Sequence, residues 1–274
     1  MKIGIVGVGN MGSAFAKALI AKDKVSQERL YLFDTNEEKL KELKAEHIGV
    51  TQFGITKELQ ECDTILLAVK PQSFVEIAEH IRPFLEEKQL FISIMAGIKT
   101  TLIQELLGTD RVVRAMPNTP CQIGKGVTGY YLHEGLSEGV ATTIQLILES
   151  TGQVVRVEKE EDIDSVTALS GSGPAYFYYF LKHLVQAGMD LGLEEEKARQ
   201  LALSTMEGAF HLMNDAESSF DELISAVKSK GGTTEAALTV FDETNIGVST
   251  QKALKAAKER AADLSNLIAD QIKK

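Results

Sequence analysis

Gly7-Val8-Gly9-Asn10-Met11-Gly12 directly follows the apolar run Ile3-Gly4-Ile5-Val6, and that placement narrows the folds open to this chain more than any other feature. A G-x-G-x-x-G string alone carries little, because glycines are common. It gains weight when a strand precedes it, a helix follows it and an acidic residue lies roughly 20 positions on. All three conditions hold. Residues 13–21 read as a helix with Phe15, Ala18 and Leu19 on one face, 30–33 read as the second strand, and Asp34 closes that strand. Gly7 permits the tight turn, Gly9 lets the backbone approach a pyrophosphate, and Gly12 lets helix pack on strand. The helix N-terminus then offers free N–H groups and a positive dipole end to the phosphates. The alternative is an ordinary strand–turn–helix with chance glycines.

At 274 residues, 44% hydrophobic and 25% charged, the chain has core material for one large or two ordinary domains. A net charge of −10 argues against a nucleic-acid or anionic-membrane surface, though not against a small anionic substrate. Cys62 and Cys121 are too few for a disulfide framework, which fits a reducing compartment. Lys2, the apolar residues behind it and Ala14-Phe15-Ala16 imitate a secretory leader, but the glycine spacing, Asn10 and Lys17 speak against one. No apolar run of about 18 residues predicts a membrane span. The expectation is a cytoplasmic protein without a metal site.

Residues 1 to about 157 alternate short apolar runs with helical patterns. Strands are predicted at 2–6, 30–34, 64–68, 90–93, 111–115, 127–131 and 153–157, with helices such as 37–47, 73–85 and 100–107 between most of them. That alternation implies parallel pairing and right-handed crossovers. From about residue 160 only helices are predicted, at 163–170, 174–191, 194–214, 220–229, 233–244 and 248–272. The charged junction Glu158-Lys159-Glu160-Glu161-Asp162 reads as a solvated helix start. The expected fold is therefore α/β: a Rossmann dinucleotide-binding domain over 1–158, then an all-α domain over 159–274. Tyr176-Phe177-Tyr178-Tyr179-Phe180 sets aromatics all round one helix, and a helix apolar on every side is normally buried on every side. Intertwining with a second copy would bury it; the alternative is that the tyrosines face solvent on one side.

Four further segments stand where chemistry could occur. A carboxylate ending the second strand accepts hydrogen bonds from ribose hydroxyls and repels a 2′-phosphate, so Asp34 leans toward NADH; it could instead cap the helix beginning near Glu37, and Asn36 and Lys39 could soften the preference. Lys70, in Ala68-Val69-Lys70-Pro71, would sit at the carboxyl edge of the third strand, near cofactor phosphate or ribose, or simply in solvent. The small residues of Ser93-Ile94-Met95-Ala96-Gly97, and the loop Met116-Pro117-Asn118-Thr119-Pro120, suit a flat nicotinamide ring; loop stiffening is the alternative for the second. Lys230-Gly231-Gly232-Thr233-Thr234 lies between two helical patterns. Paired glycines there can expose consecutive N–H groups as an anion-binding nest, or make an ordinary turn with a threonine N-cap.

Taken together the segments resemble pyrroline-5-carboxylate reductase over nearly the whole chain. The resemblance rests on Gly7–Gly12, on Ala68-Val69-Lys70-Pro71-Gln72, on Met116-Pro117-Asn118-Thr119-Pro120, on Ala168-Leu169-Ser170-Gly171-Ser172-Gly173-Pro174-Ala175-Tyr176, and on Gly231-Gly232-Thr233-Thr234 with Phe241-Asp242 beyond. It implies a helical domain that interlocks with a partner subunit, a homodimer or higher homo-oligomer, and an active site between one chain's cofactor domain and helices partly from the other. By that likeness Val6, Gly7, Val8, Gly9, Asn10, Met11, Gly12 and Asp34 contact the adenine-side half of NADPH or NADH. Ala68, Val69, Lys70, Pro71, Ala96 and Gly97 line the path to the nicotinamide, where Asn118 is also placed. Gly231, Gly232, Thr233 and Thr234 hold the substrate carboxylate, with Thr234 nearest the imine nitrogen. Two departures stand out: Ser229-Lys230 where members often carry Ser-Pro, and Asp34 where many carry a small or polar residue.

The implied reaction is reduction of 1-pyrroline-5-carboxylate to proline. Its cyclic imine is already largely protonated near neutrality, so Thr234 would orient the ring and need not supply an acid. Most of the rate would come from positioning, worth up to ~7–11 kcal/mol. No histidine, lysine or carboxylate stands out as an acid at the nest. Two other readings compete. One is a β-hydroxyacid dehydrogenase using Lys182, although Gln186 stands where its partner asparagine is expected. The other is a non-catalytic dinucleotide sensor.

Overall fold

The computed structural model describes residues 1–133, 135–215 and 217–272. They divide into two compact units, Met1–Gly173 with Ala256–Lys274, and Pro174–Lys255.

The first unit is built on an eight-stranded sheet: β1 (Ile3–Val6), β2 (Leu30–Asp34), β3 (Val50–Phe53), β4 (Thr64–Leu67), β5 (Leu90–Ser93), β6 (Val112–Met116), β7 (Gly126–Tyr131) and β8 (Gly152–Val157), in the order β3-β2-β1-β4-β5-β6-β7-β8. Its helices are α1 (Asn10–Ala21), α2 (Glu37–Ala45), α3 (Phe74–Ile81), α4 (Thr100–Leu107), α5 (Glu138–Leu148) and α6 (Asp162–Val166). The central strands read as unbroken apolar runs because both faces are covered. Successive side chains point to opposite faces. Leu66, Ile92 and Val113 therefore join Phe15, Leu19, Ile144 and Ile147 in one apolar layer, while their neighbours Ile65, Leu67, Phe91 and Val112 join Phe74, Ile81 and Ile103 in the other. Cys62 lies in the second layer, where burial pushes its thiol up to about 12, so it holds its proton at neutral pH and acts as a small apolar residue.

Two features depart from expectation. β3 was not predicted; it is an edge strand of half-buried and exposed residues, too short and polar to show a period. The sheet is also not wholly parallel, since β6 and β7 pair antiparallel, Arg114 opposite Tyr131. The stretch from Met116 to Gly126 forms a short 3-10 turn at Thr119–Ile123 with a proline in its first positions. It is too short for the crossover of roughly a dozen residues that parallel pairing requires. Beyond β8, α6 runs into a π-helical turn, Thr167–Gly171.

The second unit is helical: α7 (Gly173–Asp190), α8 (Glu195–Asp215), α9 (Phe220–Val227), α10 (Thr233–Glu243) and the first part of α11 (Ile246–Ile272). A Cβ on Gly188 would lie 3.0 Å from that of Ala198, which marks the close approach of α7 to α8. Ser219 and Glu222 form a reciprocal capping box at the head of α9. Ala198 is the sole buried residue among the described residues of Pro174–Lys255. Phe177, Tyr178, Tyr179, Leu201, Phe210, Leu212 and Phe220 are each more than half exposed. No described helix is long and apolar enough to cross a membrane.

Candidate active site

The three glycines of the turn between β1 and α1 do not share the same surroundings. Gly7 has φ +93°, and a Cβ there would lie 2.8 Å from the Ala68 carbonyl oxygen. A Cβ on Gly12 would come within 1.9 Å of the Gly7 oxygen. Around Gly9 a Cβ would meet nothing within 4 Å. Gly7 and Gly12 are thus fixed by packing, whereas the bare backbone at Gly9 faces open space. Gly9 is the N-cap of α1, supplies no side-chain cap, and no acid occupies the first turn. Donors at the head of a helix, with space in front of them and no competing carboxylate, fit a pyrophosphate.

Asp34 is pinned at the end of β2. Its Oδ2 accepts the Val8 N–H at 2.6 Å and its Oδ1 accepts the Asn36 N–H at 2.8 Å. Asn36, not Asp34, caps α2, accepting the Lys39 N–H at 3.0 Å, and the Lys39 ammonium lies 3.7 Å from Glu42. The side chains of Asn36 and Lys39 therefore have partners other than Asp34's side chain. A cleft of about 210 Å³ brings Val6, Gly7, Asp34 and Val69 together with Thr35, Glu76 and His80. The last three were missed in the sequence; the available signal was Glu76 and His80 at i, i+4 on a helix that follows a strand end.

Ala68 backs the glycine turn, its N–H donating to the Val6 carbonyl at 2.8 Å. Lys70 is exposed before the Pro71–Ser73 turn. Gly97 has φ +73°, and Ala96 beside it is exposed. Asn118 is buried; its Oδ1 accepts the Val127 N–H at 3.0 Å and its Nδ2 donates to the Ser170 hydroxyl at 3.4 Å, so its side chain braces the loop against β7 and the π-helical turn.

Arg114, on β6, is 1% exposed. Its guanidinium bonds Asp164 of α6 at 2.8 Å and lies 3.6 Å from Glu160. Glu160 also accepts from the N–H and hydroxyl of Thr100, at 2.7 and 2.8 Å. This corrects the expectation of a wholly solvated junction at 158–162: Glu160 is half-buried and locks α4 and β6 to the start of α6. A lone arginine inside an apolar strand was the usable sign, since a buried charge requires a partner.

In the helical unit, Gly231 has φ +71°, and a Cβ on Gly232 would lie 2.3 Å from the Ser229 hydroxyl. Gly232 is the N-cap of α10 and gives the first turn no side-chain acceptor, leaving the N–H groups of Thr233 and Thr234 at the helix head. A carboxylate does stand at the loop: Glu235 accepts the Gly231 N–H at 2.7 Å, with the Lys228 ammonium 3.9 Å away. From the third position of α10, Glu235 reaches back past the N-cap Gly232 to the residue before it. Lys182 is exposed on α7, and Gln186 bonds Asp190 at 3.1 Å, so no catalytic pairing forms between positions 182 and 186.

Residues 160–264 match the family model for pyrroline-5-carboxylate reductase dimerisation, and 2–97 match that for NADP oxidoreductase coenzyme F420-dependent. A pyrroline-5-carboxylate reductase from Staphylococcus haemolyticus is 35% identical, covering 97% of this chain and 98% of its own. The chain belongs to the pyrroline-5-carboxylate reductase family. Solved members of that family share the fold. The structure from Coxiella burnetii gives a TM-score of 0.89 at 34% identity, over 96% of this chain and 98% of its own. The Plasmodium falciparum structure with NADP bound gives 0.85 at 29%, over 97% and 98%.

Proposed function

We propose that this chain reduces 1-pyrroline-5-carboxylate to L-proline with a nicotinamide dinucleotide. Family membership over the full length carries the reading, and the uncovered head of α1 beside Asp34 supports it. In this assignment 1–158 takes the dinucleotide and 159–274 takes substrate and partner subunit. Reduced nicotinamide, when bound, supplies the hydride that adds to the imine carbon.

The chain's own residues hold the reactants. The turn Gly7–Gly12 seats the pyrophosphate, with Val8, Asn10 and Met11 on the same turn. Asp34 takes the adenosine ribose, and Ala68–Pro71, Ala96, Gly97 and Asn118 line the way to the nicotinamide. Gly231–Thr234 grips the substrate carboxylate through the N–H groups at the head of α10. The Thr234 hydroxyl orients the ring nitrogen; the iminium arrives already protonated, so no side-chain acid is required. Glu235 holds Gly231 in its left-handed conformation and fixes the loop that presents these donors. Lys228, close by, offsets the repulsion between Glu235 and an incoming carboxylate.

Consumption of NADH or NADPH dependent on added pyrroline-5-carboxylate, with stoichiometric proline, is the direct test. Oxidation of small hydroxyacids without pyrroline reduction would overturn the proposal in favour of Lys182 chemistry, and dinucleotide binding without any turnover would favour a sensor. Neither alternative is favoured by the named relatives. Between the two coenzymes we read NADH, because both oxygens of Asp34 are aimed by backbone N–H groups and would repel a 2′-phosphate. Asp34→Ser is expected to shift the ratio of kcat/KM values toward NADPH by about 10-fold or more, the cost of one unpaired charge at close range. An unmoved ratio would leave Asp34 a purely structural residue. We also read the helical unit as the homodimer interface, since Pro174–Lys255 buries almost nothing within one chain.

A further inference from the structure

The cleft beside Asp34 has a second acidic wall. α3 lays Phe74, Ala78 and Ile81 against the sheet, and Glu76 and His80, one turn apart, line the cleft. Together with Asp34 and Thr35 they make up its polar side-chain lining, and no lysine or arginine lines it among the described residues. His80 Nδ1 lies 2.7 Å from the Glu76 carbonyl oxygen. A carbonyl only accepts, so Nδ1 carries the hydrogen. The lining is therefore two carboxylates, an imidazole and a single hydroxyl. A ribose diol offers two donors to such a wall. A phosphate ester offers only acceptors and close to two negative charges.

We propose that Glu76 acts with Asp34 as a specificity-determining residue, selecting a dinucleotide whose adenosine ribose carries a free 2′-hydroxyl. The inference rests on the dinucleotide reading given above and adds a residue from a different element. Glu76 works at longer range than Asp34. Asp34 meets the ribose directly; Glu76 adds its field across the cleft, and because it is exposed that field is screened by salt.

Equilibrium titration of the full-length protein with NADH and with NADPH, followed by nicotinamide fluorescence, tests this without turnover. Glu76→Gln keeps the shape and removes the charge. It should tighten NADPH about fivefold, the Coulomb effect expected across several ångströms of high-dielectric cleft, and change NADH by less than about twofold. Glu76→Lys should go further in the same direction, and both gains should shrink as salt is raised. If both variants leave the ratio of the two dissociation constants unchanged while the protein binds NADH, Glu76 has no part in selection and the dinucleotide reading stands. If the unaltered protein binds neither dinucleotide, that reading falls and the inference with it.

Discussion

Thr234→Ala is expected to lower turnover roughly 10- to 1000-fold, the range for losing one positioned hydrogen-bond partner at a reacting centre. Thr234 stands in the first turn of α10, behind the N-cap Gly232. Its N–H belongs to the helix head whatever the side chain, so alanine deletes the hydroxyl and leaves the proposed carboxylate grip intact. The loss should therefore fall on kcat more than on KM, as for an interaction made chiefly in the transition state. Thr234→Ser, which keeps the hydroxyl, should restore most of the rate. Steady-state kinetics with saturating reduced dinucleotide would check this. Equal kcat for the alanine and native proteins would remove Thr234 from the mechanism.

The largest effect on stability is expected at Arg114. The residue is 1% exposed, bonded to Asp164 at 2.8 Å and 3.6 Å from Glu160. Removing one partner of a buried ion pair leaves an uncompensated charge and costs about 3–5 kcal/mol. Arg114→Ala strands Asp164, buried at 6% exposure, and should lower the free energy of unfolding by that amount. Replacing Arg114 and Asp164 with apolar residues, Arg114→Met with Asp164→Leu, should recover part of the loss, because their desolvation cost disappears with their charges while Glu160 keeps its two bonds from Thr100. Denaturant titration at one fixed protein concentration measures both. A loss under about 1 kcal/mol for Arg114→Ala would mean that the pair behaves as if solvated.

What could be read from residue order was whatever depends on local pattern. The apolar runs that became β1, β2 and β5 were visible because strands covered on both faces carry few polar residues. The glycine turn was visible because its spacing behind an apolar strand is a local pattern, two of its glycines answering a steric demand and the third leaving the backbone bare. β3 escaped because an edge strand with half-exposed residues has no period to detect. The antiparallel step from β6 to β7 escaped because pairing direction depends on the length of the intervening chain, not on composition. Glu160 looks like any surface acid in sequence and Glu76 shows only its i, i+4 spacing to His80; burial near Arg114 and a cleft shared with Asp34 exist only once distant segments meet. Glu235 was the avoidable miss, since an acid three places after the cap residue is a local signal. The helical half was legible in the spacing of its apolar residues, but which of them a single chain leaves uncovered was not.

That last point reaches beyond the native state. With Ala198 alone buried among the described residues between Pro174 and Lys255, an isolated copy of that segment has little to offset its loss of conformational entropy. On the homodimer reading, folding there and association are one event, and its molecularity is two. Dilution should then melt the segment, and its thermal midpoint should climb as the protein is concentrated. A midpoint independent of concentration would mean that each copy stands unaided. Refolding after denaturation would likewise run at a rate set by encounter between chains.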